Sequence, residues 1–557
     1  MSRHGGALLV ESLAALGGRR AFGVPGESYL AVLDALHDLG GRLDFTTCRH
    51  EGGAAFMAAA WGKLTGSPGL AFVTRGPGAT NAAIGVHTAM QDSVPMILFV
   101  GQVATGMRGR EAFQEIDYAR AFDGLAKWAV EIDRVERIPE ILSRAWVTAT
   151  TGRPGPVVVA LPEDVLSART DLAPLSGPVE VSAPQPAPGA VARIREILAG
   201  AERPLILLGG FGWTPEARVA LQDFAEGSDI PVVAVFRAQD RFDNDSPVFC
   251  GEAGVGMNPG VADLIRGADA ILALGNRFGE NSTGGYTLLS VPDPAQRLVH
   301  VHASDREIGK VYRPALGLHA DPGATAQALA AGGPVRGGWA GWRAAGRAAW
   351  EAAFEIDPLP SPVDMGPVTA HLREVLPDDA IVTNGAGNFA IWSGRFLRYR
   401  RGQRLLAPQS GAMGYGLPAA VAAKIARPGA CVVCFAGDGD LQMTVAELAT
   451  ARQAGAVPIV LVLNNGTLGT IRAHQEREYP GRVSGTDLAN PDFAALARAY
   501  GLHAERVERT ADFAAAFARA RASETGALLD LAISAEAITP RRTLSAIRAE
   551  AQARGGG

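Results

Sequence analysis

Two short polar segments in the last third of the chain contain residue types that could bind a phosphorylated ligand together with a metal ion. Asp438 lies between Gly437 and Gly439, and Asn465 ends an Asn-Asn pair. Carboxylate and amide oxygens are hard ligands that suit Mg²⁺, which takes its remaining ligands from phosphate and water. The glycines allow the backbone to approach phosphate oxygens that a side chain would block. The two segments therefore predict a diphosphate site that contains magnesium.

The residues between these two segments predict the elements that bring them together. Positions 446–451 favour a helix and positions 458–463 favour a strand, and another apolar run precedes the first segment. Open α/β sheets bind ligands at the carboxyl ends of parallel strands, so Asp438 and Asn465 should lie at one sheet edge. Gly-Asp-Gly alone is a common turn and Asn-Asn alone is a common loop. Both together, each after a strand, form a much more specific pattern.

Composition excludes several classes of protein. The chain has 557 residues, of which 47% are apolar and 20% charged, as in an ordinary globular protein of three or four domains. A net charge of −5 without a basic stripe argues against nucleic-acid binding. No apolar stretch reaches the roughly 20 residues that cross a bilayer. Four cysteines and the lack of an apolar signal segment predict a cytoplasmic protein.

Apolar runs that alternate with helical segments predict an α/β protein built from parallel sheets with crossover helices. Two proline-rich stretches, 173–189 and 357–367, interrupt this alternation. Proline at such density continues neither a helix nor a central strand, so both stretches predict linkers. We therefore predict three domains, at 1–172, 190–335 and 365–540.

Glu51 is a candidate acid or base in the first domain. It stands directly before a run of small and apolar residues that predicts a helix. Partial burial of a carboxyl group in such a run favours its protonated form and suits proton transfer. The position also fits a solvated glutamate at a helix start, where the helix dipole favours negative charge. The residues alone leave both interpretations open.

The chain resembles the thiamine diphosphate enzymes, whose cofactor motif is Gly-Asp-Gly followed by Asn-Asn. Further segments at 76–114, 410–420 and 437–467 occur in the order found in acetolactate synthase catalytic subunits. The resemblance implies three consecutive doubly wound parallel-sheet domains: a pyrimidine-binding domain, a central Rossmann-like domain and a diphosphate-binding domain. It covers essentially the whole chain.

The resemblance also implies which residues hold the cofactor. Mg²⁺ would be held by Asp438, Asn465 and the carbonyl of Thr467, and Met413 would separate the two cofactor rings. Asp440 stands where many relatives have Ser, and a second carboxylate beside a diphosphate should be repelled unless it points away or binds another group. The full set of implied cofactor-binding residues is Val24, Pro25, Gly26, Glu51, Thr74, Asn81, Gly387, Asn388, Phe389, Gly411, Met413, Gly437, Asp438, Gly439, Asp440, Asn465, Thr467, Leu468 and Gly469.

The resemblance assigns catalytic roles as well. Glu51 would bond the aminopyrimidine nitrogen of thiamine diphosphate and promote loss of the thiazolium C2 proton. Phe113 and Gln114 would lie on the substrate side, and Lys127 matches a basic residue of the same group. The family's active site lies between subunits, which implies a homodimer or homotetramer. A small regulatory subunit is a further partner of this class.

The implied reaction is decarboxylating carboligation, in which two pyruvates give 2-acetolactate and CO₂, as in branched-chain amino acid biosynthesis. His474 stands where such enzymes carry a Trp that selects the second 2-ketoacid. Segments 251–258 and 281–286 depart from the family's flavin-binding pattern, which leaves FAD open. The alternatives are a carboligase for another 2-ketoacid, a non-ligating 2-ketoacid decarboxylase, and a cofactor-binding protein without turnover.

Overall fold

Three six-stranded parallel sheets follow one another along the chain in the computed structural model, which describes residues 2–555. They confirm the predicted α/β architecture of three doubly wound domains. A short antiparallel pair, Arg3–His4 with Arg169–Thr170, joins the two ends of the first domain. Within the described residues, no helix combines the length and the apolar character that crossing a membrane requires.

The first sheet is packed on both faces because its central strands are buried and apolar at nearly every position. Leu70 and Phe72 face one helical layer, while Ala71 and Val73 face the other. In spatial order, the strands are Asp44–Thr47, Arg20–Gly23, Gly69–Thr74, Met96–Gln102, Pro156–Pro162 and Trp128–Glu131. The helices are Gly5–Ala15, Leu30–Leu39, Glu51–Thr65, Arg75–Asp92, Tyr118–Ala121, Ile138–Thr150 and Glu163–Ser167.

The middle sheet has the same layered construction. In spatial order, its strands are Phe249–Ala253, Val232–Val235, Pro204–Leu208, Ala270–Leu274, Arg297–His302 and Leu316–His319. Its helices are Pro188–Ala199, Pro215–Ser228, Pro259–Gly267, Pro322–Ala331 and Ala340–Glu351. Proline occupies the first turn of the first four, where its missing N–H costs no helical hydrogen bond.

The third sheet carries the two polar segments singled out from the sequence. In spatial order, its strands are Arg404–Leu406, Ile381–Asn384, Val432–Gly437, Ile459–Asn464, Ala527–Ala532 and His503–Val507. Its helices are Met365–Val375, Ala390–Arg395, Gly416–Ala426, Asp438–Gln442, Glu447–Gln453, Gly469–Glu478, Phe493–Ala499, Phe513–Ala522 and Leu544–Gly555.

The connection between the two central strands of this sheet differs from the prediction. It contains two short helices, Asp438–Gln442 and Glu447–Gln453, instead of one. Between them the backbone hydrogen bonds tighten to the i→i+3 pattern, and the Thr444 hydroxyl donates to the carbonyl of Gly414 at 2.7 Å. This buried anchor interrupts the helix, which the local sequence does not reveal.

Two helices that lie wholly outside the predicted bounds of 190–335 and 365–540 pack against the second and third domains. The helix Ala340–Glu351 packs on the middle sheet, where Trp350 meets Phe249 edge to face at 5.1 Å between ring centroids. The helix Leu544–Gly555 packs on the helix Gly469–Glu478. The prolines mark where the chain is extended, but tertiary packing decides which later helices belong to each domain.

Buried charges join the three domains. Lys63 of the first domain donates to Asp92 at 2.8 Å and to the carbonyl of Ala407 in the third domain at 2.6 Å. Asp240 of the middle domain accepts from Arg404 of the third domain at 3.0 Å. Burial lowers the pKa of Lys63 although Asp92 opposes the shift. Removing one partner of such a pair leaves the other charge buried and unpaired, so these contacts fix how the domains dock.

Candidate active site

Asp438 and Asn465 lie at the same edge of the third sheet, as the sequence predicts. Their strands are hydrogen-bonded neighbours, with Gly437 opposite Leu463. The Oδ2 atom of Asp438 accepts from the amide of Gly466 at 2.7 Å, which ties the first polar segment to the second. The edge of a parallel sheet thus carries two hard oxygen donors side by side.

The Asp438 carboxylate is held in one orientation. Its Oδ1 accepts from the Gly439 amide at 2.9 Å, and its Oδ2 accepts from the Asn490 side chain at 2.8 Å. Burial raises the pKa of Asp438, although these donors stabilise the charged form. Asn490 also donates to Asn464 at 3.1 Å. It was missed in the sequence because no motif connects it with Asp438.

Asn465 is placed by a tight turn. Its Oδ1 accepts from the amide of Thr467 at 3.1 Å, and Gly466 between them has a positive φ of 67°. A Cβ on Gly469 would lie 2.7 Å from Oδ1 of Asn388 and 3.1 Å from Nδ2 of Asn465. These side chains therefore converge on the start of one helix, and only glycine leaves room for them.

The surroundings of Asp438 and Asn465 fit a metal-bound diphosphate. The helix Gly469–Glu478 begins here without a side-chain cap, so its first amides are available to an anion. A Cβ on Gly437 would lie 2.8 Å from the ring of Phe389, and Gly411, at a φ of 66°, has open space around it. Hard oxygen donors, uncapped amides and accessible backbone are what such a group requires.

Asp440 points away from this edge. Its Oδ1 accepts from the amides of Ala386 at 3.1 Å and Gly414 at 2.9 Å. Burial raises its pKa to about 7. It connects two loops, 385–389 and 410–414, which we call the cofactor loops. The carboxylate therefore binds backbone amides of these loops, while a direct contact of Asp440 with the cofactor stays a prediction.

Met413 and Leu468 form the apolar side of the same edge. A Cβ on Gly439 would lie 2.8 Å from Cδ2 of Leu468 and 3.9 Å from Cε of Met413. Both side chains thus stand directly over the Asp438 segment. Both residues are predicted to bind the cofactor, and the structure places them beside the Asp438 segment.

The first domain gathers a second set of predicted residues. Glu51 begins the helix Glu51–Thr65, and its Oε2 accepts from Asn81 at 2.9 Å. Thr74 ends a strand and packs against Gly26, where a Cβ would overlap its side chain. The hydroxyl of the buried Tyr29 donates to the carbonyl of Val24, next to Pro25. Glu51, Asn81, Thr74 and the 24–26 turn therefore share the carboxyl edge of the first sheet.

Glu447 of the third domain holds the start of the Glu51 helix. Its fully buried carboxylate accepts from the amides of Arg49 at 3.2 Å and His50 at 3.0 Å, and from the Thr450 hydroxyl at 2.5 Å. A Cβ on Gly53 would overlap it. Glu447 lies in a segment predicted as a helix, and no sequence pattern indicates this role for it. The contact spans the two domains, so no local pattern shows it.

We expect Glu447→Ala to lower both stability and turnover. The variant leaves two backbone amides without their buried acceptor, at about 1–3 kcal/mol each, and frees the helix start that carries Glu51. Thermal unfolding and steady-state rates measure the two effects. Glu447→Gln keeps an acceptor oxygen and should be milder. Unchanged rates and melting in Glu447→Ala would show that the contact does not position Glu51.

Phe113 and Gln114 lie beside the start of the helix Arg75–Asp92. The amide of Gly76 donates to the carbonyl of Gln114 at 2.9 Å, and the Arg75 guanidinium lies 5.9 Å from the Phe113 ring centre. Phe113 is 70% exposed. Gln114 has a positive φ of 65°, and its buried Oε1 has no partner among the described residues. Both residues are thus at the edge that carries Glu51.

Lys127 does not lie with Glu51, Phe113 and Gln114. It precedes the strand Trp128–Glu131 and so lies at the opposite edge of the first sheet. Its Nζ donates to the carbonyls of Thr148 and Thr151 at the end of a helix, the second at 2.9 Å. Burial and the neighbouring Arg153 lower its pKa to about 8. Within one chain, these contacts give Lys127 a structural role.

A cavity of about 710 Å³ opens between the cofactor loops and the middle domain. Its lining includes Gly387, Asn388 and Gly411 from the loops and His474 from the helix Gly469–Glu478. The middle domain contributes Asn281, from one of the segments that depart from the flavin pattern. The cavity gives a second molecule access to the predicted cofactor position.

The glycine turn of the middle domain is explained by packing alone. A Cβ on Gly210 would lie 2.6 Å from the carbonyl oxygen of Gly275, and one on Gly275 would lie 2.8 Å from that of Gly209. Two backbone turns therefore touch at this point, and only glycines allow the contact. The turn gives no separate indication of FAD.

The comparisons agree with this arrangement. Residues 3–121, 191–329 and 385–531 match the family models described as the N-terminal, central and C-terminal domains of thiamine pyrophosphate enzymes. The acetolactate synthase isozyme 2 large subunit of Escherichia coli is 32% identical over 91% of both chains. A probable acetolactate synthase large subunit of Methanocaldococcus jannaschii is 32% identical over 96% of this chain and 93% of its own. The mitochondrial acetolactate synthase catalytic subunit of Saccharomyces cerevisiae is 30% identical over 91% of this chain and 77% of its own.

Proposed function

The chain belongs to the thiamine pyrophosphate enzyme family, and from this premise we propose that it is a magnesium-dependent carboligase that joins two 2-ketoacids with loss of CO₂. The observation that carries the proposal is the pairing of Asp438 and Asn465 beside an uncapped helix start. Similarity to acetolactate synthase large subunits supports pyruvate as the first substrate to test.

In this proposal the third domain binds the cofactor. Asp438, Asn465 and the carbonyl of Thr467 would hold Mg²⁺, and the first amides of the helix Gly469–Glu478 would bind the diphosphate. When bound, thiamine diphosphate supplies a carbon nucleophile and an electron sink. The hydrogen bonds of Asp438 to Gly466 and Asn490 support this role because they hold the carboxylate in place before the metal arrives.

Glu51 is the proposed proton-transfer residue. Asn81 holds its Oε2, and when the cofactor is bound the carboxyl group would hold a proton at the aminopyrimidine nitrogen. Glu447 fixes the helix start behind it through the amides of Arg49 and His50. The chain thus supplies both the proton carrier and the contacts that orient it.

The reaction balances without an oxidant. The C1–C2 bond of the donor ketoacid breaks, CO₂ leaves, and the electron pair at C2 forms a bond to the carbonyl carbon of the acceptor. The acceptor's carbonyl oxygen takes a proton. Met413 and Leu468 cover the site with apolar surface, which limits the access of water. Exclusion of water favours ligation over the alternative, in which C2 is protonated and an aldehyde leaves.

We also propose that the working form is at least a homodimer. Around the two sheet edges, Ile84 is 44% exposed, Met443 57% and Phe113 70%. Exposed apolar side chains grouped near a site indicate a covered surface. In such a dimer, Glu51 of one chain would face the diphosphate site of the other. The relatives' description as large subunits adds a smaller partner subunit to the proposal.

Proton NMR of the purified protein with thiamine diphosphate, Mg²⁺ and pyruvate tests the function. We expect loss of pyruvate and formation of acetolactate, with no change when the cofactor is omitted. Acetaldehyde alone would support the non-ligating decarboxylase instead. Unchanged pyruvate would exclude it as the donor, and a set of longer 2-ketoacids would then separate another donor from an inactive homologue.

A further inference from the structure

The cavity beside the cofactor loops contains far more positive charge than a small ketoacid needs. One carboxylate requires one or two donors, whereas five arginines line this cavity and Glu252 is its only acidic residue. The arginines are Arg237, Arg395, Arg477, Arg541 and Arg542. Arg237 comes from the middle domain and the other four from the third, so the full set is assembled only when the two domains dock.

Four of these arginines have no acidic partner within the described part of the chain. Arg542 is paired with Glu550 at 2.7 Å, but no carboxylate oxygen lies within 4.0 Å of the other four guanidiniums. Arg395 donates to the carbonyl of Gly256, and Arg541 donates to the carbonyl of Ala353 at 3.1 Å. Neutral acceptors leave the positive charge uncompensated, so the cavity attracts anions.

The buried wall of the cavity gives an independent indication of a ligand. Arg237 is only 7% exposed and donates to Asn384 at 3.3 Å, yet its Nε has no partner among residues 2–555. Gln239 is 2% exposed and donates to the carbonyl of Gly394 at 2.7 Å, and its Oε1 also lacks a partner there. Four buried lining atoms in all lack a partner there, and because buried polar atoms are nearly always paired, these exceptions point to a missing group.

The backbone at Arg237 supports the same conclusion. Its φ of 63° is uncommon for a residue with a side chain, and strained backbone is concentrated at functional sites. The backbone amide of Arg237 donates to Glu252 at 3.0 Å, which keeps that carboxyl turned toward the wall. Burial raises the pKa of Glu252, while Arg237 and Arg395 oppose this shift, and one carboxyl group cannot match the charge of five arginines.

We propose that one of the two ketoacid substrates carries a second carboxylate at its far end, and that Arg237 and Arg395 bind this carboxylate. Guanidinium groups bind carboxylates through two parallel hydrogen bonds and keep their charge when buried, which suits a half-enclosed site. The second carboxylate takes no part in bond making or breaking. This inference rests on the proposed carboligase function and specifies its substrate class.

Three ketoacids test the inference with the complete enzyme, thiamine diphosphate and Mg²⁺. Pyruvate reports basal turnover, while 2-oxopentanoate and 2-oxoglutarate have equal chain length and differ in the distal carboxylate. We expect kcat/KM for 2-oxoglutarate to exceed that for 2-oxopentanoate by at least about tenfold, the equivalent of one charged hydrogen bond. NMR of the products identifies which acid is the donor.

Variants then locate the carboxylate site. We expect Arg237→Gln and Arg395→Gln each to reduce the ratio of the two kcat/KM values by about tenfold. The more exposed Arg395 provides the test if Arg237→Gln does not fold, which thermal unfolding would report. Arg542→Gln is the matched control, since its guanidinium is already paired with Glu550, and its ratio should equal that of the wild type.

Two results would overturn the inference in different ways. Turnover of pyruvate or 2-oxopentanoate without preference for 2-oxoglutarate would refute the dicarboxylate site and leave the carboligase function standing. Consumption of none of the three acids, in protein shown by calorimetry to bind the cofactor, would refute both.

Discussion

Glu51→Gln is expected to lower kcat by about 10²- to 10⁴-fold, the usual contribution of a positioned proton-transfer group. Glutamine has nearly the same shape and can keep the hydrogen bond with Asn81, which joins Oε2 of Glu51 at 2.9 Å. It cannot hold or transfer the proton at the aminopyrimidine nitrogen. Binding of thiamine diphosphate should persist, because the groups proposed to hold the diphosphate belong to the third domain.

Calorimetry of thiamine diphosphate with Mg²⁺ and steady-state rates separate these two properties. Glu136→Gln, an exposed position in the same domain, provides the matched control and should keep wild-type rates. If Glu51→Gln retained wild-type turnover, Glu51 would not be the proton carrier. If it lost cofactor binding, Glu51 would have a binding role and the rate could not be assigned to proton transfer.

Asp438→Ala is expected to abolish magnesium-dependent binding of thiamine diphosphate and, with it, turnover. The substitution removes the only charged group among the proposed metal ligands. It also leaves the amides of Gly439 and Gly466 without their acceptor, at about 1–3 kcal/mol each, so the variant without cofactor should be less stable as well. The informative quantity is therefore the stabilisation produced by the cofactor and not the absolute melting temperature.

For the wild type, cofactor at one hundred times its dissociation constant should add about 2.7 kcal/mol to the free energy of unfolding, and Asp438→Ala should lose this increment. Asp487→Ala is the matched control, since Asp487 bridges to Thr467 in the same region but its side chain is 86% exposed. Equal cofactor-induced stabilisation of Asp438→Ala and the wild type would exclude Asp438 as a metal ligand.

The sequence alone was sufficient to predict the fold class and the meeting of Asp438 and Asn465 at one sheet edge. Both follow from local patterns. Apolar strands that are buried on both faces alternate with helices, and a glycine motif follows a strand. Asp438 and Asn465 were identified this way because each stands at the end of its own strand, and parallel strands end at one edge. Glu51 was identified as a candidate from the helix that it begins, although its role depended on the resemblance.

Only the tertiary structure decided how distant residues complete the site. Glu447 holds the Glu51 helix, Asn490 orients Asp438, and Asp440 turns beneath the cofactor loops, and none of these contacts has a sequence pattern. The structure also places Lys127 at the opposite edge of the first sheet and five arginines around one cavity. Backbone conformation follows largely from neighbouring residues. The partners of a buried charge depend instead on how whole domains dock, since a buried group that finds no partner destabilises the fold.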